Sequence, residues 1–227
     1  MAVQVPATRA ELEPFLQCLW DHHGREEWDG PDDILGVLIR TILSQATTHA
    51  NTERAFGALL ERFEGDWENV RAASPDELME SIRVAGLAKR KARTIQHVLE
   101  ETFRKYGVLH LQHLEECPID EAERCLLEFP GVGPKTAKFT VMTSLGGDRF
   151  PMDTHIFRFG KRIGVLDGRE SDTEAHEKMQ ALIPMGESYA AHMVLVRHGR
   201  HVCHARRPAC ERCPLSSCCA FAAGLSR

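Results

Sequence analysis

Two stretches of this sequence carry side chains whose types and spacing could do chemistry. The first is Phe129-Pro130-Gly131-Val132-Gly133-Pro134-Lys135-Thr136-Ala137, followed eighteen residues after Lys135 by Asp153 in Pro151-Met152-Asp153-Thr154-His155. Glycines on either side of Val132 leave the backbone uncovered, so its N–H groups can meet a phosphate where the next helix begins. Lys135 falls in the first turn of that helix. The positive end of the helix dipole disfavours a second positive charge there and lowers the ammonium pKa. A partly neutral amine is a nucleophile that can form a Schiff base with the aldehyde carbon of a sugar. Asp153 taken alone reads as the N-cap of the helix after it. Acting with an amine nucleophile, it is also a carboxylate able to take a proton or to stabilise growing positive charge.

The second stretch is CHARRPACERCPLSSCC, Cys203 to Cys219, with five of the chain's eight cysteines in seventeen residues. Cys18, Cys117 and Cys125 are scattered and read as ordinary thiols. The start MAVQVPATRAELEPF lacks the apolar core of a secretory signal, and the sequence holds no run of about 18 apolar residues that could span a membrane. The expectation is a cytoplasmic protein, nucleoid-associated if bacterial, and in a reducing compartment clustered cysteines are metal ligands more often than disulfides. Four ligands in one short lasso suit zinc or an iron–sulfur cluster, and the spacing alone does not choose between them.

Helices must position these groups, because helical signals recur along the chain and strand signals hardly appear. The expected fold is all-α. In SPDELMESIRVAG, Ser74 and Glu77 are spaced as a capping box, Pro75 takes the first helical position and Gly86 marks the end. The next segment puts Ile95, Val98, Leu99, Thr102, Phe103 and Tyr106 on one face, at steps of three and four. Further helical patterns lie near 33–45, 52–63, 119–129, 135–145, 154–163, 173–182 and 187–198. GGDRFPMD is the best boundary between lobes, since its glycines and proline stop one helix before THIFRFGKRIG starts another.

The net charge of −5 hides an asymmetry. Residues 1 to 80 hold six Arg against sixteen Asp and Glu, −10, so the remainder is +5. Arg83, Lys89, Arg90, Lys91 and Arg93 form one basic cluster, and Arg197, Arg200, Arg206, Arg207 and Arg212 another. Such runs are usually solvated faces, and a phosphate track needs further support.

GVGPKTA, an Asp eighteen positions after the Lys in a DTHIFR context, and a C-terminal C-x6-C-x2-C-x5-C together resemble the helix-hairpin-helix DNA glycosylases, specifically the endonuclease III family. The likeness runs over roughly residues 30 to 220. It implies two all-α lobes with a DNA-binding cleft between them: a helical barrel lobe at 34–148, and a cluster lobe made of 1–33 and 149–227. It implies that Lys135 is the nucleophile, Asp153 the catalytic carboxylate, and Gly131, Val132, Gly133 and Thr136 the hairpin that grips DNA. A 4Fe-4S cluster would sit on Cys203, Cys210, Cys213 and Cys219, leaving Cys218 as a free thiol and pinning the loop that aims Arg206 and Arg207 at phosphates. In Leu43-Ser44-Gln45-Ala46-Thr47 the matching glutamine, Gln45, would fill the space left by a flipped base, and Lys91 would represent the first basic cluster at the DNA. The activity implied is base excision by a DNA glycosylase that removes oxidised pyrimidines from duplex DNA, with AP lyase cleavage through a lysine Schiff base. The partner is double-stranded DNA containing damaged bases or abasic sites, and the protein would act as a monomer.

Two positions depart from the family's common pattern: Thr48 stands where Asp is frequent and Pro134 where Arg is frequent. An adenine-removing mismatch glycosylase is the alternative within the superfamily, but it lacks a lysine at position 135 and carries glutamate where this chain has Thr41. A non-catalytic DNA-binding module is the alternative outside enzymes, and the presence of both Lys135 and Asp153 argues against it.

Overall fold

The computed structural model describes residues 5–224, and among them all regular structure is helical. The chain divides into two compact units, Pro31–Leu145, and Met1–Gly30 together with Gly146–Arg227.

The Pro31–Leu145 unit is built on α2, Ile34–Ser44. Its sequence ILGVLIRTILS is apolar on nearly every face, the mark of a helix enclosed on all sides. Asp33 starts it by accepting from the amides of Leu35 and Gly36. Around α2 lie α3 (His49–Arg62), α6 (Ala88–Tyr106) and α8 (Pro134–Leu145). They close a core containing Leu38, Ile42, Leu59, Ile95, Leu99 and Val141. Between α3 and α6 run α4 (Trp67–Ala72) and α5 (Pro75–Ser81). No sequence signal announces α4, because six residues are too short to display a period. The capping box expected at Ser74 is half formed: Ser74 Oγ accepts from the Glu77 amide, but the Glu77 carboxylate turns to Arg62 instead of back to the cap. The helix also stops earlier than expected, passing into a 3₁₀ turn at Arg83–Ala85 before Gly86 takes φ +70°.

The hairpin joins α7 (Ile119–Leu127) to α8. Phe129 and Val132 bury their side chains and anchor it from within. The Val132 amide donates to the Phe129 carbonyl, and the Gly133 carbonyl accepts the first helical bond of α8 from Ala137. Gly131 holds φ +81° directly over α6, where a Cβ would stand 2.8 Å from Thr94 Cγ2. Both the dihedral and the clearance therefore require glycine.

The other unit packs α1 (Arg9–His23), α9 (Thr154–Ile163), α10 (Asp172–Leu182) and α11 (Ser188–His201) around Leu12, Leu16, Phe150, Ile156, Met179 and Leu195. The cysteine loop follows α11, with a 3₁₀ turn at Cys210–Arg212.

The hairpin gives the first test. Gly131→Ala should destabilise the protein by roughly 1–2 kcal/mol or more from the left-handed dihedral alone. Adding Thr94→Ala should recover only the part due to the steric clash. Thermal denaturation of the two variants beside wild type measures both terms.

Candidate functional site

In the Pro31–Leu145 unit the groups singled out above sit at helix ends. Gln45 is the C-cap residue of α2, half-buried, and its amide donates to Ile42 O. Ala46 follows at φ +51°, and Thr48 caps α3 by accepting from the Asn51 amide. Lys135 lies in the first turn of α8 with Nζ 5.1 Å from the centre of the Phe139 ring, one turn further along the same helix. Pro134 occupies the first helical position, where the absent N–H is not missed. Lys138 on α8 pairs with Glu123 on α7 at 3.7 Å, tying the two helices of the hairpin together.

Two expected DNA contacts are corrected. Lys91 is only 2% exposed, and its ammonium donates to the carbonyls of Leu43 at 2.7 Å and Ala85 at 2.8 Å. Burial pushes its pKa down. An ammonium bonded to backbone inside the unit cannot reach a phosphate. The spacing of basic residues misled because α6 turns Lys91 inward while Lys89, Arg90 and Arg93 stay exposed. Val132 is corrected too, since its side chain is buried and its amide is spent on Phe129.

Sequence reasoning missed Leu87. This residue is 56% exposed, in a left-handed conformation at φ +50°, and it borders the same recess as Lys89, Arg90 and Arg93. Thr94 also borders that recess and touches Gly131, so the basic end of α6 continues into the hairpin. The available signal was an apolar residue placed between Gly86 and a basic run.

In the other unit Asp153 is the N-cap of α9. Its Oδ1 accepts from the amides of His155 at 2.8 Å and Ile156 at 2.9 Å, so one oxygen serves the helix. The carboxylate opens on a cavity of about 610 Å³ whose wall includes Thr154, Arg158 and Lys161. The same helix reaches the cysteine loop. Arg158 donates to Cys203 O, Gly199 O and Thr154 O, and Arg162 to His204 O and Ala205 O. Arg162 also approaches Cys203 Sγ at 3.0 Å. These two arginines, four residues apart in DTHIFRFGKRI, are further positions that the sequence reading did not single out.

Cys203, Cys210, Cys213 and Cys219 line one cavity, closed by apolar residues including Phe159, Leu215 and Phe221. Among the described residues, no three His, Cys, Asp or Glu groups are set to hold a metal ion. Cys218 does not line this cavity; its Sγ is directed to Leu215 O. Burial pushes the Cys213 thiol up to about 11, and the neighbouring cysteine charges act in the same direction. His198 Nε2 lies 3.7 Å from Cys213 Sγ, and its Nδ1 is 3.0 Å from His23 Nε2. Burial holds His198 down to about 4, with repulsion from His23 adding to it. Arg206 and Arg207 stand exposed between the first two cysteines.

A family model described as the HhH-GPD superfamily of base excision DNA repair proteins matches residues 39–185. The chain belongs to the HhH-GPD superfamily. Endonuclease III of Thermotoga maritima is 32% identical over 189 residues, which are 83% of this chain and 84% of that one. Endonuclease III of Bacillus subtilis is 31% identical over 183 residues, covering 81% and 79%. The structure of a trapped endonuclease III–DNA covalent intermediate, an estranged-adenine complex, superposes with a TM-score of 0.82 at 27% identity, over 96% of this chain and 98% of that one. The protein is thus an enzyme, an HhH-GPD DNA glycosylase of the endonuclease III type. The matched segment contains Gln45, Lys135 and Asp153, while the cysteine loop lies beyond it. At the position where an adenine-removing relative carries glutamate, Thr41 is 3% exposed and donates to Val37 O, so no carboxylate is supplied there.

The cap geometry separates two duties of Asp153. Asp153→Ala should lower stability by about 1 kcal/mol, the usual loss for an N-cap, whereas Asp153→Asn, which can still accept, should stay within a few tenths. Chemical denaturation distinguishes the two, and equal losses would show that capping is not what the side chain contributes to the fold.

Proposed function

We propose that this HhH-GPD protein binds duplex DNA, removes oxidised pyrimidine bases and then cuts the strand by β-elimination through Lys135. The observation that carries the reading is Lys135 itself, held in the first turn of α8 directly behind a glycine hairpin, in a chain of the endonuclease III family. Phosphates would meet the hairpin amides, whose partial charge is reinforced by the α8 dipole, and the exposed Lys89, Arg90, Arg93, Arg206 and Arg207. The damaged base leaves the stack. Leu87 is the apolar side chain offered to the opened step and Gln45 the polar one offered to the vacated space.

The chemistry balances on the chain's own groups. The neutral Lys135 amine attacks the sugar C1′, and the bond from C1′ to the base breaks with its electron pair leaving on the base, which gains a proton. The nitrogen gives up one proton, the C1′–O4′ bond breaks with its electron pair leaving on O4′, which takes up a proton, and the nitrogen and C1′ are joined as a protonated imine. Loss of a C2′ proton then expels the 3′ phosphate with the C3′–O bonding pair. Water finally releases the lysine. Asp153 keeps one carboxylate oxygen on its cap and has the other for electrostatic support of the cationic sugar or for the amine's proton.

The four-cysteine cavity suits a 4Fe-4S cluster by its donor set: four thiols, an arginine N–H at one sulfur, and apolar walls. Bound there, the cluster would brace the loop that carries Arg206 and Arg207. An adenine-removing activity is disfavoured by Thr41 and by the presence of Lys135.

Borohydride added during incubation with an abasic duplex should trap a covalent protein–DNA adduct in wild type and none in Lys135→Gln. Adduct at wild-type level in that variant would transfer the nucleophile to another amine. Asp153→Asn should keep DNA affinity while base release from a thymine glycol duplex falls by about 10² or more, as expected when a charge that supports the transition state is removed.

The cysteine pair gives a second test. Cys218→Ser should retain iron and acid-labile sulfide near wild-type content, whereas Cys219→Ser should lose them. The reverse pattern would move the fourth ligand, and stoichiometric zinc in protein made anaerobically with ample iron would replace the cofactor.

A further inference from the structure

Lys91 is absorbed by neither the nucleophile nor the phosphate contacts, and its burial calls for a physical reason. A charged amine loses its hydration inside a protein and is retained only where fixed dipoles replace water. Here the dipoles are two carbonyls from separate elements, Leu43 in the last turn of α2 and Ala85 in the 3₁₀ turn before α6. Leu43 O belongs to the carbonyls that a helix leaves unpaired at its C-terminus, where the dipole is negative and a cation is favoured.

Backbone strain lies just downstream of each carbonyl. Two residues after Ala85 comes Leu87 at φ +50°, and three residues after Leu43 comes Ala46 at φ +51°. A non-glycine residue in the left-handed region is strained and persists where surrounding bonds over-determine it. Both strained residues border the side chains assigned above to the opened base step, Leu87 itself and Gln45. The ammonium bridges their two segments directly, at 2.7 and 2.8 Å.

We infer that Lys91 is a positioning residue: its buried ammonium ties the Gln45 segment to the Leu87 turn and sets the separation at which the two side chains enter DNA. This rests on the glycosylase reading for its purpose, although the bridge itself can be tested without DNA. Lys91 touches neither substrate nor nucleophile. It acts by fixing two loop tips at once, so that one insertion cannot occur at the wrong distance from the other.

Lys91→Met keeps the length of the side chain and removes both hydrogen bonds. In the full-length protein, hydrogen–deuterium exchange should be about tenfold faster in peptides spanning residues 44–48 and 85–88, with the cores of α2 and α6 protected as in wild type. The fluorescence rise of 2-aminopurine placed opposite a tetrahydrofuran abasic analogue should fall to the level of Leu87→Ala, and incision of a natural abasic duplex should slow by about tenfold or more. Affinity for undamaged duplex at low salt should change less than twofold, roughly, because no phosphate contact is lost. Unchanged exchange in either segment, or unaltered fluorescence, would overturn the inference. So would faster exchange throughout the unit, which would reduce Lys91 to a general prop of the fold. If wild-type protein itself fails to incise the abasic duplex, the functional reading falls, and the exchange measurement alone still decides the bridge.

Discussion

An α-helix leaves its first amides and its last carbonyls without partners, and those groups must be satisfied wherever the helix ends. In this protein the residues assigned to function are concentrated at such ends. Gln45 closes α2, Leu87 precedes α6, Lys135 begins α8 and Asp153 caps α9. Three of these ends are N-termini, which attract the anionic oxygens of a DNA backbone without any reading of sequence. An all-helical chain supplies many such termini. Its packing decides which are left facing outward.

A helix cap and the proposed catalytic role fall on one side chain at Asp153. One oxygen binds two amides and so fixes the carboxylate in a single orientation, which leaves the other oxygen in a defined place. Reading the residue as a helix cap and reading it as a catalytic carboxylate are therefore compatible. Lys135 is handled differently, because a cation at a helix N-terminus is disfavoured, and the ring of Phe139 lies near its ammonium on the same helix.

The cysteine loop depends on α9 as much as on its own ligands. Arg158 and Arg162 each donate to two backbone carbonyls of the loop or of α11. The helix that Asp153 caps is thus joined to the loop that presents Arg206 and Arg207. A cluster bound by the four cysteines would brace a segment that the arginines already organise.

Much of this was legible in the sequence. The all-α class follows from apolar residues at helical steps, and the hairpin, Lys135 and Asp153 are local patterns whose roles depend on neighbours a few residues away. The period of α6 placed Ile95, Val98, Leu99 and Thr102 on its buried face, as found, but Phe103 and Tyr106, expected on the same face, are 40% and 36% exposed because the last turns of the helix lie at the surface. The family resemblance named Cys219 rather than Cys218 as the fourth ligand, and Cys219 lines the cavity with Cys203, Cys210 and Cys213 while Cys218 does not. Tertiary structure alone decided the fate of Lys91. A basic run gives each residue the same formal charge, but helical rotation and the carbonyls of Leu43 and Ala85 determine that this one is buried while Lys89, Arg90 and Arg93 are exposed. The same holds for Leu87, whose exposure arises from a left-handed turn that no hydrophobic period encodes. Sequence determines local propensity and the chemistry each side chain can perform. Which face meets solvent, and which unpaired carbonyl meets which distant donor, is set by packing between segments far apart in the chain.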